Sequence, residues 1–333
     1  MKAIILEGID KPLTLKEVEI PQPAEGEVLV QLKAAALNRR DWWITRGKYA
    51  GISYPAIIGS DGAGIVTEVG PGVDRDWIGK EVIIYPARNW GDKEEYQAND
   101  FGIIGLPPYS GTFAEYVNVT VGQLQFKPAH LTWEQAATLT VAGLTAYRAL
   151  FTKGQPKEGN TVLITGVGGG AGTFALQYAV AAGCKVFVTS GSNEKIERAR
   201  QLGALAGVNY KAQDWAEQLK QLSGGFDVII DSALGEGFSK LLDVIKPGGR
   251  IVFFGGTAGG NIPEINGRKI FWRHISILGT TLGSPHEFGK MLAYVDKHKL
   301  VPVIDEVFRL ADAEKAIRRM DNSLQFGKLV LSI

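Results

Sequence analysis

The residues whose spacing most clearly implies chemistry form a glycine-rich turn, Gly166-Val167-Gly168-Gly169-Gly170-Ala171-Gly172. The turn follows a buried-strand pattern over residues 161–165 and precedes a helical pattern over residues 173–182. Glycines at such a junction let the backbone approach a pyrophosphate, whose charge then lies at the positive end of the helix. The turn therefore predicts a dinucleotide site, with these candidate binding residues: Gly166, Gly169, Gly170, Ala171 and Gly172.

The end of the next predicted strand, over residues 185–189, indicates which dinucleotide is bound. An NAD site usually places Asp or Glu there, to bind the ribose 2′-hydroxyl. In this chain the strand runs into Ser190, Gly191 and Ser192, and Lys195 follows. Hydroxyl groups and a cation favour a 2′-phosphate, so the sequence predicts NADP(H) bound through Ser190 and Lys195. A second interpretation stays open, in which Ser190 only caps the helix and Lys195 only faces solvent.

The elements that must position this turn alternate between strand and helix from residue 161 onward. Nearly continuous apolar runs predict buried parallel strands over 161–165, 185–189, 226–231, 250–255 and 276–279. This succession is typical of a doubly wound α/β domain. Short strand patterns separated by Gly and Pro fill the first 125 residues and predict an antiparallel, barrel-like β domain. The predicted domains are 1–125 with 298–333, and 126–297.

Composition narrows the class of protein. The 333 residues carry 36 basic and 35 acidic side chains, and 45% of them are hydrophobic, which excludes general disorder. The balanced charge argues against a nucleic-acid partner, and no apolar run is long enough to span a membrane. The one cysteine, Cys184, has no internal disulfide partner, so we expect a reducing compartment, the cytoplasm.

Several motifs outside the glycine turn carry a family resemblance along essentially the whole chain. They are Asn38-Arg39-Arg40-Asp41, Arg46-Gly47-Lys48-Tyr49, Gly59-Ser60-Asp61-Gly62-Ala63-Gly64, Gly79-Lys80-Glu81-Val82, Ala142-Gly143-Leu144-Thr145-Ala146-Tyr147 and Gly327-Lys328-Leu329-Val330-Leu331. With them the chain resembles the alcohol dehydrogenase-like medium-chain dehydrogenase/reductases, in particular their zinc-free quinone oxidoreductase (zeta-crystallin-like) branch. The resemblance implies a GroES-like β-barrel catalytic domain, a doubly wound Rossmann domain with a parallel six-stranded sheet, and a cleft between them.

The same resemblance argues against zinc. Zinc-dependent members carry Cys where Asn38 stands, His where Ser60 stands, and Cys or Asp near Val141. Val141 has no ligand atom, and Asn and Ser are poor substitutes for thiolate and imidazole. The stretch 85–108, which corresponds to the lobe holding structural zinc, contains no cysteine. We therefore expect NADP(H) as the cofactor and no metal.

Without a Lewis acid, reduction of a quinone or an α,β-unsaturated carbonyl (enone or enal) is the easier reaction, because the enolate needs only hydrogen-bond donors. Asn38 has a donating amide and Tyr49 has a phenol suited to orientation or proton delivery, and both match family positions at the nicotinamide end of the cleft. They are the predicted catalytic residues. Two structural interpretations stay open, in which Asn38 bonds only local backbone and Tyr49 only packs. Asp41 is expected to hold the loop, by pairing with Arg46.

The resemblance also implies further binding residues and a partner. Tyr210 matches a tyrosine near the adenosine phosphate, while Phe254 and Gly255 follow a strand end and are expected to line the ribose and nicotinamide. The strand over 275–279 matches one that pairs across a two-fold axis, so we expect a homodimer.

The expected substrate is a small hydrophobic quinone or conjugated carbonyl, reduced by NADPH. Two other functions stay open at this stage. One is a zinc-free alcohol or carbonyl dehydrogenase. The other is a non-enzymatic NADPH-binding or RNA-binding protein of zeta-crystallin type.

Overall fold

The computed structural model describes residues 1–262 and 264–333. The chain divides into two compact units, Met1–Ala142 with Ser284–Ile333 (unit 1) and Gly143–Gly283 (unit 2). Unit 2 therefore begins later, and ends earlier, than the nucleotide-binding domain expected over 126–297. The compact units divide the chain by internal packing, so the domain limits predicted from the sequence stay a prediction.

Unit 1 is built mainly from short strands. Up to residue 142 its strands and helices are β1 (Lys2–Leu6), β2 (Thr14–Glu17), β3 (Glu27–Ala36), α1 (Arg39–Thr45), β4 (Ala56–Ile57), β5 (Asp61–Val69), β6 (Glu81–Ile84), β7 (Ala87–Arg88), β8 (Gly102–Ile103), β9 (Tyr116–Thr120), β10 (Leu124–Phe126) and α2 (Trp133–Ala137). Short 3₁₀ turns cover Arg75–Trp77 and Val121–Gln123, and a π-helical turn over Leu139–Gly143 follows α2.

Unit 2 alternates strand and helix, as the sequence predicts. Its elements are α3 (Leu144–Tyr147), a π-helical stretch (Arg148–Gly154), β11 (Thr161–Ile164), α4 (Gly170–Ala181), β12 (Lys185–Ser190), α5 (Asn193–Gln201), β13 (Ala206–Asn209), α6 (Trp215–Ser223), β14 (Phe226–Asp231), α7 (Phe238–Val244), β15 (Ile245–Phe253), α8 (Gly267–Trp272) and β16 (Ser276–Gly279). The chain then returns to unit 1 with α9 (Pro285–Lys297), β17 (Ile304–Arg309), a 3₁₀ turn (Leu310–Asp312), α10 (Ala313–Arg318) and β18 (Lys328–Ser332).

The main sheet of unit 1 is organised around the long strand β3. The strand order is β10-β6-β5-β3-β18-β17, and β9 also pairs with β3. Except for the parallel pair β17–β18, the pairs are antiparallel. The register places Ala36 opposite both Asp61 of β5 and Val330 of β18. Three segments far apart in the sequence therefore meet at the end of β3, directly before α1.

Close packing between β3 and β5 requires glycine. A Cβ atom added to Gly64 would lie 2.1 Å from the carbonyl oxygen of Gln31, which no side chain can tolerate. Beneath α1 the core includes Leu37, Ile44 and Phe113, all buried. This core fixes α1 and the residues at its N-terminus against the sheet.

The sheet of unit 2 is entirely parallel, with six strands in the order β13-β12-β11-β14-β15-β16. The order reverses at β11, so the ends of β11 and its neighbours form the switch point at which such sheets bind ligands. The predicted GroES-like and doubly wound architecture is confirmed. Among the described residues, no helix is both long and apolar enough to cross a membrane.

Candidate functional site

The glycine turn of unit 2 has the backbone conformation that a cofactor cradle needs. Gly166 and Gly168 have φ angles of +61° and +134°, which favour glycine over any other residue. Gly169 is the N-cap of α4, so the helix begins at Gly170, three residues before its predicted start. A Cβ atom on Gly172 would lie 3.5 Å from the Cα atom of Val167, an ordinary van der Waals distance, so the turn and the helix are in contact at this position.

The tip of β12 brings hydroxyl groups beside that turn. The Thr189 hydroxyl accepts a hydrogen bond from the Gly166 N–H at 3.1 Å. The buried Ser190 hydroxyl accepts from the Ser192 N–H, whereas the helix α5 is capped by Ser192, which accepts from the Lys195 N–H. Ser190 is therefore not the cap of α5.

Lys195 and Tyr210 both lie against glycines of this region. A Cβ atom on Gly168 would meet the Lys195 side chain, 2.9 Å from its Cδ atom and 3.4 Å from its Nζ atom. At Gly191 a Cβ atom would lie 2.6 Å from the Tyr210 hydroxyl and 3.2 Å from the Cε atom of Lys211. Glycine at these two positions lets a phenol and two cations converge beside the turn, as a phosphate-bearing cofactor requires. Sequence reasoning missed Gly191 and Lys211 as site residues. The available signal was the position of Gly191 directly after Ser190, because a glycine at a strand end can mark a close approach of other groups.

The neighbouring strand ends complete the switch point. Asp231, at the end of β14, accepts hydrogen bonds from the Thr165 hydroxyl and, at 2.9 Å, from the Leu234 N–H. The loop after β15 approaches it closely, because a Cβ atom on Gly255 would lie 2.8 Å from the Ser232 carbonyl oxygen. Phe254, before it, donates its N–H to the Asp231 carbonyl at 3.3 Å. These positions fit a dinucleotide, and all the predicted binding residues lie at or beside the carboxyl ends of β11, β12, β13 and β15.

In unit 1 buried charged and polar side chains meet around the N-terminus of α1. We call them the α1 cluster: Asn38, Arg40, Asp41, Ser60, Asp61 and Lys328. Its centre is Lys328, 3% exposed, paired with the fully buried Asp61 at 2.7 Å. The Lys328 ammonium also donates to the Asn38 Oδ1 atom at 2.7 Å and to the Leu37 carbonyl at 2.8 Å. Three acceptors thus satisfy its three N–H groups.

Asp61 is held on its other side by the π-helical turn. Its Oδ1 atom accepts from the Thr140 hydroxyl at 2.5 Å and from the Val141 N–H at 2.8 Å. Ser60, next to it, donates to the Ile104 carbonyl at 2.8 Å and accepts from Arg40. The three positions at which zinc-dependent members hold their metal therefore all belong to, or contact, the α1 cluster.

Asn38 is the N-cap of α1, and its side chain reaches beyond local backbone. Because an ammonium can only donate, Lys328 fixes Oδ1 on its own side and turns the amide nitrogen away. That Nδ2 atom is buried and has no hydrogen-bond partner among the described residues. Asp41 accepts from the Asn38 N–H at 2.7 Å and lies 3.8 Å from Arg40. The expected pairing of Asp41 with Arg46 is wrong, because Arg46 turns outward to Asp10 and Asp321.

Tyr49 lies over the Arg40 guanidinium, with its ring centroid 5.1 Å from the Cζ atom. It also packs against the core beneath α1. The structure thus brings Asn38 and Tyr49 to one cluster, through the contact of Tyr49 with Arg40. Sequence reasoning missed Arg40, Asp61 and Lys328 as site residues, although all three stand in the quoted motifs.

The residues of the α1 cluster do not fit a zinc ion. Of the atoms at the two ligand positions, Asn38 Oδ1 already accepts from an ammonium and Ser60 Oγ from a guanidinium. A divalent cation placed between them meets the charges of Lys328 and Arg40 and finds no thiolate or imidazole, and the nearby Asp61 carboxylate is already engaged by three donors. In the described part of the chain, no group of three His, Cys, Asp or Glu side chains could hold a metal.

Comparisons with known proteins agree with this architecture. The family profile "Alcohol dehydrogenase GroES-like domain" matches residues 24–129, and the profile "Zinc-binding dehydrogenase" matches residues 170–297. The zinc-type alcohol dehydrogenase-like protein YogA of Leptosphaeria maculans is 39% identical over 97% of this chain and 95% of its own length. The crystal structure of an NAD-dependent alcohol dehydrogenase superposes with a TM-score of 0.93 at 33% identity, over 100% of both chains.

A quinone oxidoreductase of Rattus norvegicus is more distant, at 30% identity over 99% of this chain and 97% of its own. The names of the more similar proteins thus point to the alcohol dehydrogenase side of the family. The chain belongs to the medium-chain dehydrogenase/reductase superfamily, as an alcohol dehydrogenase-like oxidoreductase of the zinc-type group with an NAD(P)-binding domain.

Proposed function

We propose that this protein is a zinc-independent, NADP(H)-dependent oxidoreductase that interconverts a carbonyl compound and its alcohol. The observation that carries the proposal is the α1 cluster, where a guanidinium and an ammonium contact two of the positions that bind zinc in zinc-dependent relatives. Buried hydrogen-bond donors can stabilise an oxygen that gains negative charge, which is the task a Lewis acid otherwise performs. The alcohol dehydrogenase names of the more similar proteins support the carbonyl–alcohol reaction.

Reduction of a quinone or conjugated enone is a second candidate. The distant likeness to a quinone oxidoreductase supports it. Hydride addition to a conjugated carbonyl gives an enolate, whose negative charge is spread over several atoms. The same hydrogen-bond donors therefore need to stabilise less charge on the oxygen.

The deciding experiment measures NADPH oxidation against matched ketones, aldehydes, enones and quinones, with the products identified by mass. We expect saturated ketones or aldehydes to give alcohols, and we expect a chelator such as EDTA to leave kcat unchanged. Reduction restricted to the C=C bond of enones, or to quinones, selects the second candidate. Stoichiometric zinc whose removal abolishes turnover contradicts the zinc-independent proposal.

We further propose that Ser190 and Lys195 select NADP(H) over NAD(H). Replacing Ser190 by Asp places a carboxylate at the tip of β12, where it repels a 2′-phosphate and accepts a hydrogen bond from a 2′-hydroxyl. Charge-assisted hydrogen bonds contribute about 1.5–3 kcal/mol, so we expect the ratio of kcat/KM for NADPH over NADH to fall by about 10- to 100-fold.

The matched control is Asn160→Asp, which adds the same charge before β11 at the opposite end of the sheet. There the Asn160 side-chain oxygen accepts from the Lys157 N–H, and Asp preserves that acceptor. We expect its NADPH preference to equal that of the unchanged protein. An unchanged protein that prefers NADH contradicts the assignment.

We also propose that the protein forms a homodimer through the outer strand β16. The preceding helix α8 carries Phe271 and Trp272, which are 65% and 79% exposed. An outer strand flanked by exposed aromatic residues is suited to pairing with a second copy. We expect Trp272→Glu to shift the protein from dimer to monomer in analytical ultracentrifugation. Tyr96→Glu, at an aromatic residue 60% exposed in unit 1, should leave the dimer intact.

A further inference from the structure

Arg40 has an environment that packing alone does not explain. It lies in the first turn of α1 and is only 9% exposed, although arginine is almost never this buried unless it is paired. Its Nη1 atom contacts the Ser60 hydroxyl and, at 3.3 Å, the Ile104 carbonyl. The Asp41 carboxylate is 3.8 Å away, at the long end of an ion pair. One end of the guanidinium is thus fixed.

The other end of the guanidinium faces no acceptor. Its Nε and Nη2 atoms are buried and have no hydrogen-bond partner within the described residues. The Nδ2 atom of Asn38, two residues earlier in the chain, is likewise buried and without a hydrogen-bond partner within the described residues. A buried donor without an acceptor costs about 1–3 kcal/mol, so such donors on two neighbouring residues indicate an acceptor supplied from outside the chain.

The groups of the α1 cluster that are still without a partner indicate what kind of acceptor would bind there. Asp61 is engaged by Lys328, Thr140 and Val141, and Asp41 by the Asn38 N–H. Among the described residues of the cluster, the unpartnered groups that remain are N–H donors on Arg40 and Asn38 and one acceptor, the Asp41 Oδ1 atom, which lies 3.8 Å from the already fixed Nη1 atom of Arg40. The unused donors, two of them on a permanent cation, fit an oxygen atom that carries or gains negative charge.

We propose that Arg40 is a catalytic residue, which together with the Asn38 amide holds the reacting oxygen of the substrate and so supplies the charge that zinc supplies in metal-dependent relatives. This inference rests on the proposed carbonyl chemistry. The hydride would come from a C–H bond of bound NADPH, which would become NADP⁺. As the hydride adds to the carbonyl carbon with its electron pair, the π electrons of the C=O bond move to the oxygen. The Arg40 and Asn38 N–H groups stabilise that oxygen, which then takes a proton from the Tyr49 hydroxyl, and solvent replaces the proton.

Tyr49 contributes to this arrangement through its ring. The ring lies over the guanidinium, a geometry in which an aromatic face stabilises a desolvated cation. It also covers the guanidinium against water, which strengthens the interaction of the cation with a substrate oxygen. Tyr49 is thereby a positioning residue for Arg40 as well as the proton donor.

The test is the Arg40→Ala variant, assayed for kcat with and without added guanidinium ion. Removing an oxyanion donor typically lowers kcat by about 10²- to 10³-fold, and we expect a loss of that size with NADPH affinity unchanged. Guanidinium in the millimolar range should restore part of kcat, whereas tetramethylammonium, which has no N–H donor, should not. A merely structural role for Arg40 predicts no such rescue.

Arg88→Ala is the matched control within unit 1. Arg88 stacks on Tyr109 with its Cζ atom 4.7 Å from the ring centroid, and it pairs with Glu27 at 2.8 Å. Its removal deletes a similar cation–aromatic contact away from the α1 cluster, so we expect kcat to stay unchanged. If Arg40→Ala does not fold, Arg40→Gln keeps a donor for Ser60 and tests the same loss of charge.

Binding of benzamide separates this inference from the proposed function. Benzamide presents a carbonyl oxygen that hydride does not reduce, and calorimetry with the NADPH complex measures its affinity without turnover. We expect Arg40→Ala to weaken benzamide binding at least tenfold. If the protein binds benzamide through Arg40 but reduces no carbonyl compound, the proposed function fails, whereas the assignment of Arg40 as the group that holds a carbonyl oxygen stands. A folded Arg40 variant with kcat and benzamide affinity within threefold of the unchanged protein overturns the assignment.

Discussion

Replacing Lys328 by Met is expected to lower the free energy of unfolding of unit 1 by about 3–5 kcal/mol. Lys328 and Asp61 are 3% and 0% exposed, so solvent cannot compensate the carboxylate once its partner is gone. The same change removes the donor to the Asn38 Oδ1 atom and so releases the Asn38 amide to turn. We therefore expect kcat to fall together with stability.

Urea unfolding followed by tryptophan fluorescence measures this effect. Five of the seven tryptophans lie in unit 1, so the signal reports mainly on that unit. The control Lys246→Met makes the same substitution in a half-exposed ion pair, Lys246 with Asp227 at 2.9 Å, where the expected loss is below about 1 kcal/mol.

A double variant, Lys328→Met with Asp61→Asn, tests the origin of the loss. Asn keeps an oxygen for the Thr140 hydroxyl and the Val141 N–H but carries no charge. The double variant should lose less stability than the sum of the two single variants. Additive losses contradict a buried charge pair as the cause.

The second large effect is a dependence of the free energy of unfolding on pH, caused by the Asp41 carboxyl. Burial raises the pKa of the Asp41 carboxyl to about 6 from 3.8, against the attraction of Arg40 and the Asn38 N–H, which lower it. Asp61 raises this pKa further and Lys328 lowers it. Between about pH 4 and pH 6 the folded protein therefore keeps a proton that the unfolded chain has released. Its contribution to the free energy of unfolding falls as pH rises through this window and is constant above it.

At about 1.4 kcal/mol per pKa unit, the fall amounts to about 3 kcal/mol. Asp41→Asn is neutral at every pH and keeps an oxygen that can accept from the Asn38 N–H, so it should remove this dependence. The measurement is the difference in unfolding free energy between Asp41→Asn and the unchanged protein from pH 4 to pH 8. The exposed carboxyl variant Asp92→Asn serves as the control, and a flat difference for Asp41→Asn shows that the Asp41 proton is not linked to folding.

Sequence reasoning was most successful where one chain segment suffices. The glycine turn, the buried strands of unit 2 and their order along the chain are local patterns, and the structure agrees with them to within a few residues at the element ends. The sequence pattern starts α4 at Thr173, because glycine is a poor helix former, whereas the helix begins at Gly170, where the role of glycine at a helix N-terminus overrides that propensity. The capping of α5 by Ser192, and not by Ser190, depends on where the last strand residue ends.

The α1 cluster shows what local patterns leave out. The sequence identifies Asn38, but its partner Lys328 lies 290 residues later in the chain and reaches it only because β18 pairs with β3. Sequence patterns do not single out Arg40, since arginine is usually exposed and its burial is a property of the packed fold.

The sequence by itself determined the two kinds of domain, the dinucleotide turn and the lack of suitable zinc ligands at three positions. The domains and the turn follow from residue type and short-range spacing, whereas the three positions follow from the family resemblance. Only the tertiary structure decided that those positions meet an ammonium and a guanidinium, and that the amide of Asn38 and one end of Arg40 stay without an acceptor. Hydrogen-bond satisfaction and desolvation depend on which distant segments the sheet brings together, so no local pattern carries that information.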